Sequence, residues 1–209
     1  MEDSQATLAN WRLPPFNRVA FSKVREIIPT ASISWNKGSA VKDKEPENRK
    51  LTVKVKENEE IGLDEFLNQT TVDAFQVSHR GRNVYTWNSH YCSSSTPHII
   101  FSVSKSLTAL LIGCVIDEGL VTEETLVSQI IPEAKGSAFE DASVRNLLDM
   151  SVSSNFTEDY EATSGIFLDY RQSTGWNPQN IDDTSHLKSF LLSLKKNTHR
   201  HGEKFEYHS

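Results

Sequence analysis

Five serines in this 209-residue sequence stand three positions before a lysine, a spacing at which a hydroxyl and an amine can act as nucleophile and base. The pairs are Ser34/Lys37, Ser39/Lys42, Ser102/Lys105, Ser185/Lys188 and Ser193/Lys196. A neutral lysine amine can take the proton of a neighbouring hydroxyl, which activates an otherwise weak nucleophile. At most one pair can be the reaction centre, so the surrounding sequence must select it.

Four of the five pairs lie in surroundings that favour ordinary solvated residues. The first two pairs fall in a polar arm or linker, where nothing would desolvate a lysine. The last two belong to an amphipathic helix whose lysines lie off the apolar stripe. That stripe consists of Leu187, Phe190, Leu191 and Leu194.

Ser102 and Lys105 differ because they follow a strand-like "HIIF" and open the most apolar helical segment of the chain. Spacing i to i+3 places the two side chains together on one helix face. Desolvation and the positive end of a helix both favour the neutral form of an amine there. The segment alone leaves two interpretations open: a catalytic pair, or an N-cap serine beside a solvated lysine.

The elements around this pair alternate between strand and helix patterns. "AFQVSHRGRNVYTWN" predicts a hairpin with strands at 75–78 and 83–87 and a turn at Gly81. A helix is predicted over 102–118 with Gly119 at its C-terminal cap. Shorter helices are predicted at 62–70, from Thr122, from Ser143 and from Leu187, whereas residues 151–183 show no steady period and are interpreted as a long loop.

The composition of the chain limits the classes of ligand that it could bind and the cellular compartments in which we expect it. The net charge is −6 and the aromatics do not interleave with basic residues, which argues against nucleic acid as a ligand. No apolar run approaches the roughly 18 residues of a membrane span. The first residues lack the basic and apolar regions of a signal peptide, so the sequence predicts a cytoplasmic protein.

Two further groups of residues could hold a metal or react as thiols. Cys92 and Cys114 match no metal-ligand spacing, and Cys114 is expected to be a small buried hydrophobe of the predicted helix. His199 and His201 offer two ligands with no carboxylate or cysteine at a supporting spacing, so a solvated pair at a helix end is the preferred interpretation. No metal and no other cofactor is predicted.

Several stretches in the same order resemble the serine β-lactamase-related hydrolases, in particular the branch with 6-aminohexanoate-dimer hydrolase and related esterases. The stretches are "FSVSKSLTALLIGCVIDEGLV", "SVRNLLDMSVSSNFTEDY", "GWNP" and "HGEKFEYHS", and the resemblance covers about residues 70–209. It implies an α/β fold of the β-lactamase/transpeptidase type, with an antiparallel sheet packed on a central helix beside a helical lobe formed by much of 120–200. It divides the chain into an arm and charged linker, residues 1–60, and a β-lactamase-related domain, residues 61–209.

The resemblance also assigns roles to individual residues. It implies that Ser102 is the acylated nucleophile and Lys105 its general base. The family's second motif, Tyr-x-Asn or Tyr-x-Ser, falls on Tyr207-His208-Ser209, so Tyr207 would shuttle the proton to the leaving group. Tyr160 and Ser209 would contact the substrate.

One departure from the family pattern concerns its third motif, Lys/His-x-Gly, which lies on a strand well beyond the tyrosine and supplies an oxyanion-hole donor. His79-Arg80-Gly81 and Arg200-His201-Gly202 match it only formally, because both precede Tyr207. The sequence is therefore expected to be the N-terminal portion of such a hydrolase, without its C-terminal strands.

The predicted function is hydrolysis of a small-molecule amide or ester through an acyl-serine intermediate. The alternative is a non-catalytic β-lactamase-like binding module or an inactive fragment. A cell-wall peptidase would require export, for which no signal is visible. Nothing in the sequence indicates the acyl group of the substrate or the oligomeric state.

Overall fold

A computed structural model describes residues 5–33, 50–179 and 186–208. The chain divides into two compact units, Met1–Ile99 and Ile100–Ser209. The predicted boundary after residue 60 falls inside the first unit and stays a prediction. Because the predicted sheet and the predicted central helix belong to different units, the packing of one on the other also stays a prediction.

The first unit contains two antiparallel hairpins and a short helix. Its elements are α1 Asn17–Ala20, a 3-10 turn Val24–Glu26, β1 Thr52–Lys56, β2 Glu59–Gly62, α2 Leu63–Gln69, β3 Ala74–His79 and β4 Arg82–Asn88. β1 pairs with β2 and β3 pairs with β4. The helix predicted at 62–70 and the 75–87 hairpin are confirmed, whereas β2 was not predicted.

The β3–β4 hairpin has the tight turn that its sequence predicts. Arg80 and Gly81 both have positive φ, 50° and 74°, and His79 pairs directly with Arg82. Two successive residues with positive φ are typical of a type I′ turn, whose twist matches that of the strands.

The core of the first unit joins α2 to this hairpin. Leu63 and Leu67 from α2 pack with Tyr85 from β4, and all three are buried. The Tyr85 hydroxyl donates to Asp64. Burial, followed by this hydrogen bond, raises the pKa of Tyr85 to about 12.

The second unit is helical in the residues described. It contains α3 Val103–Asp117, α4 Val127–Ile130, a 3-10 turn Pro132–Ala134, α5 Val144–Leu148, α6 Ile166–Ser173 and α7 Leu187–Ser193. The predicted helices at 102–118, after Ser143 and after Leu187 are confirmed. The helix predicted from Thr122 is shorter than expected, because Thr122 lies in a turn closed by Thr125 and the helix begins at Val127.

Helix α6 corrects the prediction that residues 151–183 form one long loop. It buries Phe167 and Tyr170, which lie three positions apart on one face. These rings, together with Phe156 and Phe190, form an aromatic core. Many polar residues flank the short apolar stripe, so periodicity over the whole segment is weak although the helix is well packed.

Helix α3 ends in the way its sequence indicates. Gly119 has a φ of 71°, its N–H bonds to Ile116, and the N–H of Leu120 bonds to Val115. This pair of bonds is a Schellman motif, which satisfies carbonyls at the helix end and favours glycine at the left-handed position. The burial of α3 differs from expectation, because none of its residues is buried.

Candidate active site

The backbone bends sharply immediately before Ser102. Phe101 has a φ of 40°, a region that a bulky residue adopts at a cost of about 1–3 kcal/mol. Its ring packs edge-on against Trp176 with centroids 5.7 Å apart, and Ser104 Oγ donates to its carbonyl. These contacts hold the bend that sets Ser102 at the first turn of α3. Phe101 and Trp176 both lie in stretches that carry the family resemblance, but sequence reasoning assigned no role to either.

Ser102 and Lys105 meet as their spacing predicts. Lys105 Nζ lies 3.2 Å from Ser102 Oγ and donates to it, and both residues are half-buried. Ser102 occupies the N-cap position of α3, yet its side chain makes no capping hydrogen bond. The predicted proximity is confirmed, and the interpretation of Ser102 as an ordinary capping serine loses its main support.

Tyr207 reaches the same oxygen from the far end of the unit. Its hydroxyl donates to Ser102 Oγ across 105 positions of sequence. Lys105 Nζ lies 5.1 Å from the centroid of the Tyr207 ring, a distance at which the ring face attracts a cation. Hydroxyl, amine and phenol therefore converge, as the motif order predicts, with Tyr207 still 37% exposed.

Tyr207 is held in place by the segment of residues 199–208, which turns at 201–202 and is hydrogen-bonded to residues 150–153. The N–H of Glu206 donates to the Met150 carbonyl at 2.7 Å, and the N–H of Gly202 donates to the Ser151 carbonyl at 2.9 Å. These two bonds fasten the backbone at the turn and next to Tyr207, so the backbone itself holds the phenol near Ser102.

A cavity of about 430 Å³ adjoins Lys105. One face of α3 lines it, together with aromatic and aliphatic side chains of the core and two residues of the 199–208 segment. Its lining comprises Lys105, Thr108, Ala109, Ile112, Phe139, Leu147, Leu148, Met150, Val152, Phe156, Tyr170, Phe190, Leu191, Leu194, Glu206 and His208. Glu206 and His208 face the cavity and Tyr207 faces Ser102, as alternation along an extended chain requires.

Two titratable groups that line the cavity are shifted toward their neutral forms. Burial lowers the pKa of His208 below its usual 6.5, although Glu206 and Glu158 oppose the shift. Burial also raises the pKa of Tyr170, with Glu158 as the next cause. Both shifts have burial of the side chain as their largest cause.

The two predicted substrate contacts remain predictions. Tyr160 is exposed; its hydroxyl donates to Glu158 and its ring packs against Phe167 at 5.3 Å. Ser209 lies outside the described residues. So do Ser34, Ser39 and Ser185 of the rejected pairs.

The rejected pair at the end of α7 behaves as expected. Ser193 Oγ donates to the Phe190 carbonyl, and Lys196 forms an ion pair with Asp141. Neither group is directed at the other, so this serine has no base.

Two sequence-based interpretations are corrected. Cys114 is exposed, although it was expected to be buried. Helical periodicity predicts the face of the helix on which a residue lies, but it does not predict whether another element packs against that face. The side chains of His199 and His201 are only 7% and 6% exposed, so they are not a solvated pair. Glu206, seven positions along the chain, lies against His199, and Asp141, 60 positions away, lies against His201.

Two further features are absent from the described residues. No group of three or more histidine, cysteine or acidic side chains there is arranged to hold a metal ion. None of the helices within 5–33, 50–179 and 186–208 combines the length and the apolar character needed to cross a membrane.

Comparison with known families matches residues 64–209 to the model of the beta-lactamase family. The chain belongs to the beta-lactamase family. The matched part contains the Ser102 site, α2 from Asp64 onward, both strands of the 74–88 hairpin and all described elements of the second unit.

Individual relatives agree with this membership. The chain is 30% identical over 194 residues to the 6-aminohexanoate-dimer hydrolase of Paenarthrobacter ureafaciens, covering 91% of this chain and 47% of that protein. The solved structure "Putative 6-aminohexanoate-dimer hydrolase from Bacillus anthracis" superposes with a TM-score of 0.84 at 22% identity, over 96% of this chain and 53% of that one. The predicted α/β fold is confirmed, and the chain spans about half the length of these relatives.

Proposed function

We propose that this protein is a serine hydrolase that cleaves an amide or ester bond through an acyl intermediate on Ser102. The single observation that carries the proposal is the convergence of Lys105 Nζ and the Tyr207 hydroxyl on Ser102 Oγ. Membership in a family whose named relatives are hydrolases supports it.

The reaction begins with removal of the Ser102 proton. Neutral Lys105 accepts this proton while Oγ bonds to the substrate carbonyl carbon, and the carbonyl electrons move onto oxygen. The N–H of Ser102 stands at the N-terminal end of α3, where a helix favours negative charge. Lys105 thereby becomes an ammonium beside the Tyr207 ring.

The second half of acylation breaks the bond to the leaving group. The oxyanion collapses, the amine or alcohol departs, and it takes a proton from the Tyr207 hydroxyl. The Lys105 ammonium returns a proton to the phenolate, which restores both groups. Water then attacks the acyl-serine, with the same two groups moving protons in the opposite order.

The proposed substrate is an amide between short linear chains, or a related ester. The relative from Paenarthrobacter ureafaciens bears the name 6-aminohexanoate-dimer hydrolase, and its dimer is therefore the first amide to test. The apolar cavity beside Lys105 is compatible with aliphatic groups near the site.

Covalent labelling tests the nucleophile directly. A fluorophosphonate probe forms a stable adduct only with an activated serine, and peptide mass spectrometry locates it. We expect one adduct on Ser102 in the wild type, its loss in Ser102→Ala, and its retention in Ser106→Ala. Ser106 is the matched control because it is an exposed serine of the same helix.

The alternative, a non-catalytic binding module, gives a different result. It predicts no adduct in the wild type under conditions that label a known serine hydrolase. Equal labelling of wild type and Ser102→Ala would also refute the proposal.

A further inference from the structure

His201 joins the segment that carries Tyr207 to the body of the second unit. Its Nδ1 lies 2.9 Å from the N–H of Ser153, which donates to it. Its Nε2 lies 3.0 Å from Asp141 Oδ1. With the side chain only 6% exposed, both nitrogens are engaged away from water.

These contacts fix the tautomer of the ring. Because Nδ1 accepts a hydrogen bond, the proton of the neutral imidazole resides on Nε2, which donates to Asp141. Lys196 hydrogen-bonds to the other oxygen of Asp141. Lys196 first, and His201 to a smaller extent, hold the pKa of Asp141 below its usual range. Asp141 is therefore an ionised acceptor at neutral pH.

The side-chain contact identifies one residue of the segment, whereas a backbone N–H is common to every residue except proline. His201 and Gly202 lie in a turn, in which Gly202 has a φ of 81°, and the ring of His201 fixes the place of this turn against Ser153. Residues 205–208 follow it, with Glu206 and His208 lining the cavity and Tyr207 in contact with Ser102. A shift of one position there would exchange these faces and bring Tyr207 to the cavity.

We propose that His201 is a positioning residue: its ring, oriented by donation to Asp141, accepts the Ser153 N–H, and this accepted bond fixes the register of residues 199–208 that brings Tyr207 to Ser102. The effect on catalysis rests on the proposed role of Tyr207, whereas the effect on register does not. The ring of His208 packs against Phe156 at 5.4 Å. Tyr207 therefore lies in the chain between two fixed residues, the hydrogen-bonded His201 and the ring-packed His208.

Three substitutions separate the two hydrogen bonds of His201. His201→Asn keeps an acceptor at the Nδ1 position, His201→Gln keeps an amide donor at the Nε2 position, and His201→Phe keeps only a ring. His186→Phe is the matched control, since His186 is exposed at the start of α7.

The first readout is the rate at which the fluorophosphonate labels Ser102. We expect His201→Asn to stay within about threefold of wild type. His201→Gln and His201→Phe should be slower by about 10- to 100-fold, because a misplacement of about 1 Å can cost 100-fold. Equal rates for the Asn and Gln variants, or a wild-type rate for His201→Phe, would overturn the proposal.

The second readout does not depend on catalysis. Fluorotyrosine is incorporated at the five tyrosines, and the ¹⁹F resonance of residue 207 is assigned by its loss in Tyr207→Phe. We expect this resonance to move toward the position of a solvated tyrosine in His201→Phe, and to keep its wild-type position in His201→Asn and in His186→Phe. An unmoved resonance in His201→Phe overturns the positioning role.

The two readouts distinguish the two proposals. If the wild type is never labelled but the resonance moves, the hydrolase function fails and the positioning role stands. If circular dichroism shows that His201→Phe does not fold, the Asn and Gln variants decide, because both are polar and close to each other in volume.

Discussion

Ser102 Oγ receives hydrogen bonds from an amine one helical turn away and from a phenol 105 positions away. Two donors directed at one oxygen stabilise negative charge there, which is what a serine acquires as it loses its proton. At the same separation, a neutral amine accepts the hydroxyl proton instead of donating one. The geometry therefore suits both the resting hydroxyl and the attacking oxygen.

Replacement of Lys105 by methionine removes the base and keeps the length of the side chain. We expect the labelling rate of Ser102 to fall by at least about 100-fold, because general bases contribute about 100- to 10,000-fold. The melting temperature should change little, since a half-exposed hydrogen bond adds only about 1 kcal/mol.

The control for this variant is Lys188→Met. Lys188 is an exposed lysine of α7 that forms an ion pair with Glu133. This control variant should label at the wild-type rate. A Lys105→Met protein that is folded and labels as fast as Lys188→Met would exclude Lys105 as the base.

Replacement of Tyr207 by phenylalanine should affect poor leaving groups more than good ones. An alkoxide or amide anion needs a proton as it departs, whereas p-nitrophenolate leaves without one. We expect acylation by an alkyl ester to fall by about 100-fold and acylation by the matching p-nitrophenyl ester to fall much less. Equal losses on the two esters would show that Tyr207 does not protonate the leaving group.

Local spacing predicted that Ser102 and Lys105 share a helix face, because residues i and i+3 do so, but only the family resemblance favoured a catalytic pair over a capping serine beside a solvated lysine. Local spacing could not predict Tyr207, which was identified only through the order of motifs in a resembling family. His201 was misinterpreted for the same reason. Its partners Ser153 and Asp141 lie 48 and 60 positions away, and no local pattern reports such contacts.

At the scale of elements, α3 has apolar residues on more than one face. Leu110 is 70% exposed and Leu111 is 66% exposed, while Ala109 and Ile112 line the cavity. A helix that is apolar all round is normally buried. Helical periodicity thus predicted where α3 begins and ends. It wrongly indicated that α3 is buried, because burial depends on the elements that pack around a helix.

The exposed leucines of α3 should make the purified chain bind hydrophobic dyes and self-associate. We expect the double variant Leu110→Lys/Leu111→Lys to reduce dye fluorescence and concentration-dependent sedimentation. Leucine and lysine have similar helix propensities, so the helix content should be unchanged.

The matched control adds the same kind of charge at another exposed position of the helix. Ser106→Lys should leave dye binding near the wild-type level, since it removes no apolar surface. If Ser106→Lys and the double variant have equal effects, net charge and not the leucine surface governs the association.

At the scale of the whole molecule, each of the two units has its own buried cluster. Leu63, Leu67 and Tyr85 form one cluster in the first unit, and the aromatic residues around Phe156 form another in the second. The family match begins at residue 64 and so includes parts of both units. The sequence predicted the fold class through this resemblance, while the division after Ile99 had no signal in composition or linker sequence.

Because the site is open to water, we expect acylation of Ser102 and complete turnover of a substrate to differ in rate. Tyr207 is 37% exposed, so a tetrahedral intermediate on Ser102 forms in contact with water, and electrostatic stabilisation is weaker there than in a closed site. We expect a p-nitrophenyl ester to give a burst of about one equivalent with slow turnover, and hydrolysis of 6-aminohexanoate dimer to be close to nil. The burst and the released 6-aminohexanoate are measured on the same preparation, and rapid amide turnover would contradict the expectation.

The distance in sequence between Ser102 and Tyr207 also has a consequence during biosynthesis. A ribosome adds about 5–20 residues per second, so the 105 positions that separate the two residues correspond to about 5–20 s of translation. Throughout that interval the nascent chain carries Ser102 and Lys105 without the phenol. The segment that carries Tyr207 must then dock on residues 150–153 before the third group arrives. If Ser102 and Tyr207 have the roles proposed above, the serine stays latent while the polypeptide is being made and becomes reactive as this late, long-range contact forms.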